Sequence, residues 1–89
     1  MTKIANLFLL LCLLNSPLLA DDCAKVSDAN DEDRELLGSL LLASKKIARK
    51  FNLDDNYRLV INNGAKAGQT VSHIHIHLLG GKSLSWSPG

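Results

Sequence analysis

An α+β domain, one main helix packed against an antiparallel β-hairpin, is what the residues predict, and three stretches carry that prediction. Residues 31–51 place Leu36, Leu37, Leu40, Leu41, Ala43, Ile47, Ala48 and Phe51 at spacings of three and four, the period of an amphipathic helix. Residues 57–62 read Tyr-Arg-Leu-Val-Ile-Asn behind an Asp-Asp-Asn turn, a run of branched and aromatic residues suited to a strand. Residues 71–79 hold all three histidines of the chain, His73, His75 and His77, alternating with Ile74, Ile76 and Leu78. Strict alternation is the signature of a half-buried strand, because successive side chains on a strand point to opposite faces. The imidazoles are therefore expected on one face and the aliphatics on the other.

Taken in order, the 89-residue chain opens on a composition outlier. Lys3 precedes an apolar run from Ile4 to Leu14, then come Asn15-Ser16-Pro17 and Leu18-Leu19-Ala20 ahead of Asp21-Asp22. A positive start, an apolar stretch of about ten residues and a small residue at the boundary fit a secretory signal peptide. The alternatives are a buried helix and a membrane anchor, for which the run falls short of the roughly 20 residues of a span. Residues 1–20 are accordingly read as a signal-peptide-like leader and the polar residues 21–30 as a linker. No stable membrane span is expected, and a secretory route follows if the leader is genuine. Cys12 and Cys23 are too few for a disulfide framework and pair only if the leader stays attached and folds back.

The helix has matching signals at both ends. Asp28 or Asn30 can cap its start, Asp31, Glu32, Asp33 and Glu35 fill the first turns, and Lys45, Lys46, Arg49 and Lys50 fill the last. Those charges complement the helix dipole, so they are read as solvated caps and not as a binding patch. Asn52 is a plausible left-handed stop. Ten Lys plus Arg against nine Asp plus Glu leave neither a basic stripe for nucleic acid nor an acidic tail. Between the two strands, Gly64 and Gly68 with the small Ala65 and Ala67 allow close approach to a phosphate, or merely connect a hairpin.

The histidine row is the candidate for chemistry. Alternate residues rise about 6.6 Å along a strand, so His73 and His77 lie roughly 13 Å apart, too far to share one metal ion with its bonds near 2 Å. A surface row without a role is the plainest reading. Nucleophilic chemistry at phosphorus fits better: a neutral imidazole attacks near neutral pH, and its neighbours exchange protons with it or with the leaving group.

His73-Ile-His-Ile-His-Leu-Leu79 matches the histidine-triad motif, His-φ-His-φ-His-φ-φ with φ apolar. The likeness extends to residues 57–62, Gly64, Gly68-Gln69-Thr70-Val71-Ser72, Gly80-Gly81-Lys82 and Trp86-Ser87-Pro88-Gly89, and Glu35-Leu36-Leu37-Gly38 is similar to the opening of the family's central helix. Over residues 26–89 the chain resembles the C-terminal half of the histidine-triad nucleotide-binding branch, so residues 31–89 are read as a partial domain of that α+β fold. The resemblance implies that His75 is the nucleophile taking the nucleotidyl group from an adenosine phosphoramidate or a related purine nucleoside monophosphate derivative. It implies that His77 contacts the phosphate and that His73 orients and hydrogen-bonds the nucleophile. Asn62, Gly68, Gln69 and Thr70 fall where the branch contacts ribose, phosphate and leaving group, with Thr70 keeping the hydroxyl of the more common Ser. Trp86 matches a tail tryptophan that reaches the partner's site in a homodimer, and Ser87 replaces a usual Pro. No cofactor is implied, and the family works in cytoplasm and nucleus.

The family's earlier half, a helix followed by strands forming the purine and ribose pocket with a further histidine, finds no match in the leader and linker. The expectation is therefore a catalytic strand without its base-recognition wall. Two other functions stay open beside the enzyme. A non-catalytic, dimerising scaffold predicts no turnover, and a metal-binding module predicts zinc retained through dialysis.

Overall fold

The computed structural model of the chain describes the backbone of residues 3–8, together with residues 24–53 and 55–88. Strand β1 (Lys3–Phe8) is followed by helix α1 (Arg34–Lys50), strand β2 (Tyr57–Val60) and strand β3 (His75–Gly80). The fold is α+β of the expected kind, one main helix on an antiparallel sheet. The sheet has a third strand beyond the hairpin: its order is β1-β3-β2, both pairings are antiparallel, and β3 is central. Lys3 aligns with Gly80 and Phe8 with His75 on one side of β3, while Tyr57 aligns with Gly80 and Val60 with His77 on the other. An apolar run suits a leader or a paired strand equally, since periodicity does not separate them, and β3 offers backbone groups that need partners. The rest of the expected leader, and residues 21–23 of the linker with Cys23, lie outside the described residues, as does Cys12. No described helix is long and apolar enough to cross a membrane.

Helix α1 begins and ends where its own residues direct. Asn30 and Asp33 close a capping box just ahead of it, with the Asn30 N–H donating to Asp33 Oδ2 at 2.8 Å. At the other end Asn52 takes a left-handed φ of 57°. The Asn52 N–H then donates to Arg49 O at 3.0 Å and the Leu53 N–H to Ala48 O at 3.1 Å. These two bonds make a Schellman motif, and Leu53 and Ala48 complete it by packing in one buried cluster.

The buried stripe of α1 is Leu36, Leu40, Ser44 and Ala48, one residue per turn. Ser44 enters the core without an unpaired hydroxyl because its Oγ donates to Leu40 O at 3.0 Å. Leu36 and Leu40 pack on Ile74 and Ile76, and Ala48 and Leu53 on Leu78, with Leu59 touching both groups. Ile74, Ile76 and Leu78 are 2%, 0% and 1% exposed, so the aliphatic half of the alternating pattern faces the helix as expected. Leu41 and Phe51 are about half exposed instead, because they lie off this stripe. Gly80 is also packed tightly: a Cβ there would sit 3.1 Å from both Leu53 methyls and 3.2 Å from Asn56 O.

Both strands are shorter than residues 57–62 and 71–79. β2 stops at Val60, and Val71 to His73 form a bend, with the sheet ladder starting only at His75. The bend has a cause in the sequence, for the carbonyls of Val71 and His73 accept from the side chain of Gln69.

Candidate functional site

The site lies on the face of β3 turned away from α1. His75 and His77 alternate with the buried aliphatics and so share this face. His75 opens the strand and is only 7% exposed, while His77 is half-buried and is in register with Val60 of β2 and Asn6 of β1. Their rings meet edge to face, with centroids 4.9 Å apart and planes at 70°. The two imidazoles therefore address one volume, which is the arrangement needed to attack an atom and hold its substituents together.

His73 stands apart from this row. It precedes the ladder, and its side chain is exposed. What reaches the nucleophile candidate is its main chain: the His73 carbonyl oxygen lies 2.9 Å from His75 Nδ1. A carbonyl oxygen only accepts, so this bond requires the hydrogen on Nδ1. In the neutral ring the lone pair then belongs to Nε2. One tautomer is selected by a backbone group.

The loop between β2 and β3 supports this arrangement. It contains a 3-10 turn, Ala65–Ala67, flanked by Gly64 and Gly68 with φ of 93° and 97°, values that favour glycine. The N–H groups of Ala67, Gly68 and Gln69 donate to Gly64 or Ala65 carbonyls within the loop, and the Gly64 N–H donates to Gln69 Oε1 at 2.8 Å. Those four donors build the turn itself, so the glycines serve its shape and any phosphate contact through these N–H groups has to displace a bond. Asn62 lies over Gly68, with its amide nitrogen 3.6 Å from where a Cβ would stand. The structure thus gathers Asn62, Gly68, Gln69, His75 and His77 into one region, with His73 at its border through the carbonyl. Thr70 is exposed on the loop, and Trp86 stands 85% exposed in the tail.

Two features were not legible beforehand. Gln69 Nε2 faces three carbonyls, those of Ala24, Val71 at 3.0 Å and His73 at 3.4 Å. Asn63 Oδ1 accepts from the Ser27 N–H at 2.8 Å, so a second bond ties the segment before α1 to this loop. Main-chain acceptors leave no mark in a sequence, and Asn63-Gly64 reads only as the start of a loop that runs through Gly68 to Thr70. Among the described residues no group of three His, Cys, Asp or Glu side chains comes together as a metal would need. A cleft of about 740 Å³ opens near the end of β3 away from His75, lined by Asn52, Tyr57, Arg58 and Lys82 among others, and includes none of the histidines. The histidine face, with its selected tautomer, is the better candidate because it carries the reactive groups.

Comparison with known proteins identifies the family and the fold. The chain matches the HIT domain over residues 18–84, a span that leaves β1 outside it. An uncharacterised HIT-like protein of Synechocystis is 54% identical over 65 residues, which cover 73% of this chain and 57% of that protein. A 14 kDa zinc-binding protein of Zea mays is 42% identical over 77 residues, 86% of this chain and 60% of that one. The crystal structure of a HIT family hydrolase from Legionella pneumophila superposes with a TM-score of 0.71 at 47% identity, over 75% of this chain and 61% of that one. The chain spans less than two thirds of the length of each of these relatives.

Proposed function

Because this chain belongs to the HIT domain family, we propose that it is a histidine-triad nucleotidyl transferase or hydrolase acting on purine nucleoside phosphoramidates through a nucleotidyl-histidine. The observation that carries this reading is the 2.9 Å bond from His75 Nδ1 to the His73 carbonyl, with the His77 ring centroid 4.9 Å away. A nucleophilic imidazole must present one nitrogen with its lone pair, and a hydrogen bond at the other nitrogen provides that.

In this mechanism the His75 Nε2 lone pair forms a bond to phosphorus as the bond from phosphorus to the amine breaks. That electron pair leaves on the amine nitrogen, which takes up one proton. Water then attacks the nucleotidyl-histidine, its oxygen bonds to phosphorus, a proton is released, and the electron pair of the N–P bond returns to Nε2. His77, beside the nucleophile, holds phosphoryl oxygens. Asn62, Gly68 and Thr70 contribute from the loop to ribose, phosphate and leaving group. Trp86, exposed in this chain, reaches the site of a second copy.

The test is incubation of the full chain with labelled adenosine phosphoramidate, followed by denaturation and peptide mapping. Label on the peptide carrying His75, lost in His75→Asn, is the expected result. Label on His73 or His77 instead, or no turnover and no label at high protein concentration, overturns the reading. The dimer is checked separately, by a thermal midpoint that rises with protein concentration.

A further inference from the structure

We propose that Gln69 is a positioning residue for the nucleophile: its side-chain amide holds the bend before β3 so that the His73 carbonyl meets His75 Nδ1, which keeps the His75 lone pair on Nε2. The catalytic consequence rests on the function proposed above, whereas the tautomer rests on the geometry alone.

The half-buried Gln69 amide is engaged at both ends. Oε1 accepts from the Gly64 N–H at 2.8 Å, and Nε2 faces the carbonyls of Ala24, Val71 at 3.0 Å and His73 at 3.4 Å. This orientation is not interchangeable, because turning the amide over would set Oε1 against three carbonyl oxygens and Nε2 against an N–H donor. Among the described residues the ladder begins at His75, so no described strand holds the His73 carbonyl. The bend does so, and Gln69 ties that bend at Val71 and His73 to the loop at Gly64 and to the segment at Ala24. Nε2 carries two hydrogens for three carbonyls, so the contact to His73 O shares a hydrogen with a nearer acceptor, while the second lone pair of His73 O is left to accept from His75 Nδ1. The His73 bond is the longer one, so most of the hold on the bend passes through Val71. With the bend released, the His73 carbonyl turns to water, and the His75 ring relaxes toward the Nε2–H tautomer that a free histidine side chain favours. That tautomer has its hydrogen on the attacking atom.

The experiment reads the His75 tautomer in the ¹⁵N-labelled full chain, from two-bond imidazole correlations at a pH where the ring is neutral. The wild type should show the hydrogen on Nδ1. Gln69→Ala should show an averaged or inverted pattern, and so should Gln69→Glu, which keeps an acceptor for Gly64 but loses the donor. Asn63→Ala releases the Ser27 N–H without touching the bend and should leave the pattern unchanged. A Gln69→Ala protein that keeps its Ile74, Ile76 and Leu78 methyl signals and a single Nδ1–H tautomer overturns the proposal. Where the variants do not fold, the wild type decides: a nuclear Overhauser contact between the Gln69 side-chain amide and His75 Hδ1 supports the assignment, and a hydrogen on Nε2 or no such contact overturns it. With an adenosine phosphoramidate, kcat of Gln69→Ala should fall roughly tenfold while KM stays within about twofold, as misplacement of a reacting group does. A rise in KM alone would make Gln69 a ligand contact and refute positioning. Absence of turnover in the wild type would refute the proposed function, while the tautomer measurement still decides this inference.

Discussion

The central strand has two faces held in place by different means. Toward α1, Ile74, Ile76 and Leu78 are packed between Leu36, Leu40, Ala48 and Leu53, a contact made of area and shape. On the opposite face, His75 is organised by directional bonds, a carbonyl on its Nδ1 and an amide that secures the bend bearing that carbonyl, and His77 meets the His75 ring edge to face. Burial of apolar area is non-directional and sums over many atoms. A hydrogen bond is a single vector that fails once its partner moves. Damage to the first face should therefore lower stability, and damage to the second should lower chemistry while the fold persists.

Substitutions on the two faces test that division. His75→Asn should reduce turnover of an adenosine phosphoramidate by about a thousandfold or more, as loss of a nucleophile does, and should abolish covalent labelling. Its urea midpoint should fall less than that of Ile76→Ala; the reverse order would mean that the faces are not separable. Ile76→Ala removes a side chain with 0% exposure, and about 2–5 kcal/mol of stability should go with it, read from urea denaturation. Gly80→Ala tests how tightly the far end of β3 is packed, since the new Cβ meets Leu53 at 3.1 Å and the Asn56 carbonyl at 3.2 Å. Overpacking of that kind should cost about 1–3 kcal/mol, and a neutral result would show that the Leu53 side chain yields. His73→Ala should have the smallest effect. The group that meets His75 is a carbonyl, which the substitution retains, so turnover should change only about threefold or less, below about 1 kcal/mol. A drop as large as that of His75→Asn would place the His73 ring itself in the chemistry.

The His73 case also marks the limit of what the residues disclose. The resemblance implies that His73 orients the nucleophile, and in the structure that work falls to its main chain, a group every residue possesses. Gln69 was legible as a candidate ligand contact from its place in Gly68-Gln69-Thr70. Its hold on Ala24, Val71 and His73 was not, because the targets are carbonyls and one of them lies 45 residues away. Leu41 and Phe51 keep the spacing of a buried stripe, yet exposure depends on which side of the helix meets the sheet. The run beginning at Lys3 reads as the start of a leader and also pairs as β1, a choice that only an available neighbouring strand makes.

By itself the sequence determined the elements whose signals are local. Asn30, one of the two caps it offers, starts the helix with Asp33, Asn52 ends it, and the alternation through Leu78 divides β3 into an aliphatic and a histidine face. Each of these follows from bonds and side-chain directions within a few residues. Only the tertiary structure decided that the regular strand starts at His75, that the His73 carbonyl oxygen comes within 2.9 Å of His75 Nδ1, and that one glutamine amide ties three separate segments together. Those outcomes depend on where distant carbonyl oxygens come to rest, and a backbone carbonyl is chemically the same at every position of the chain.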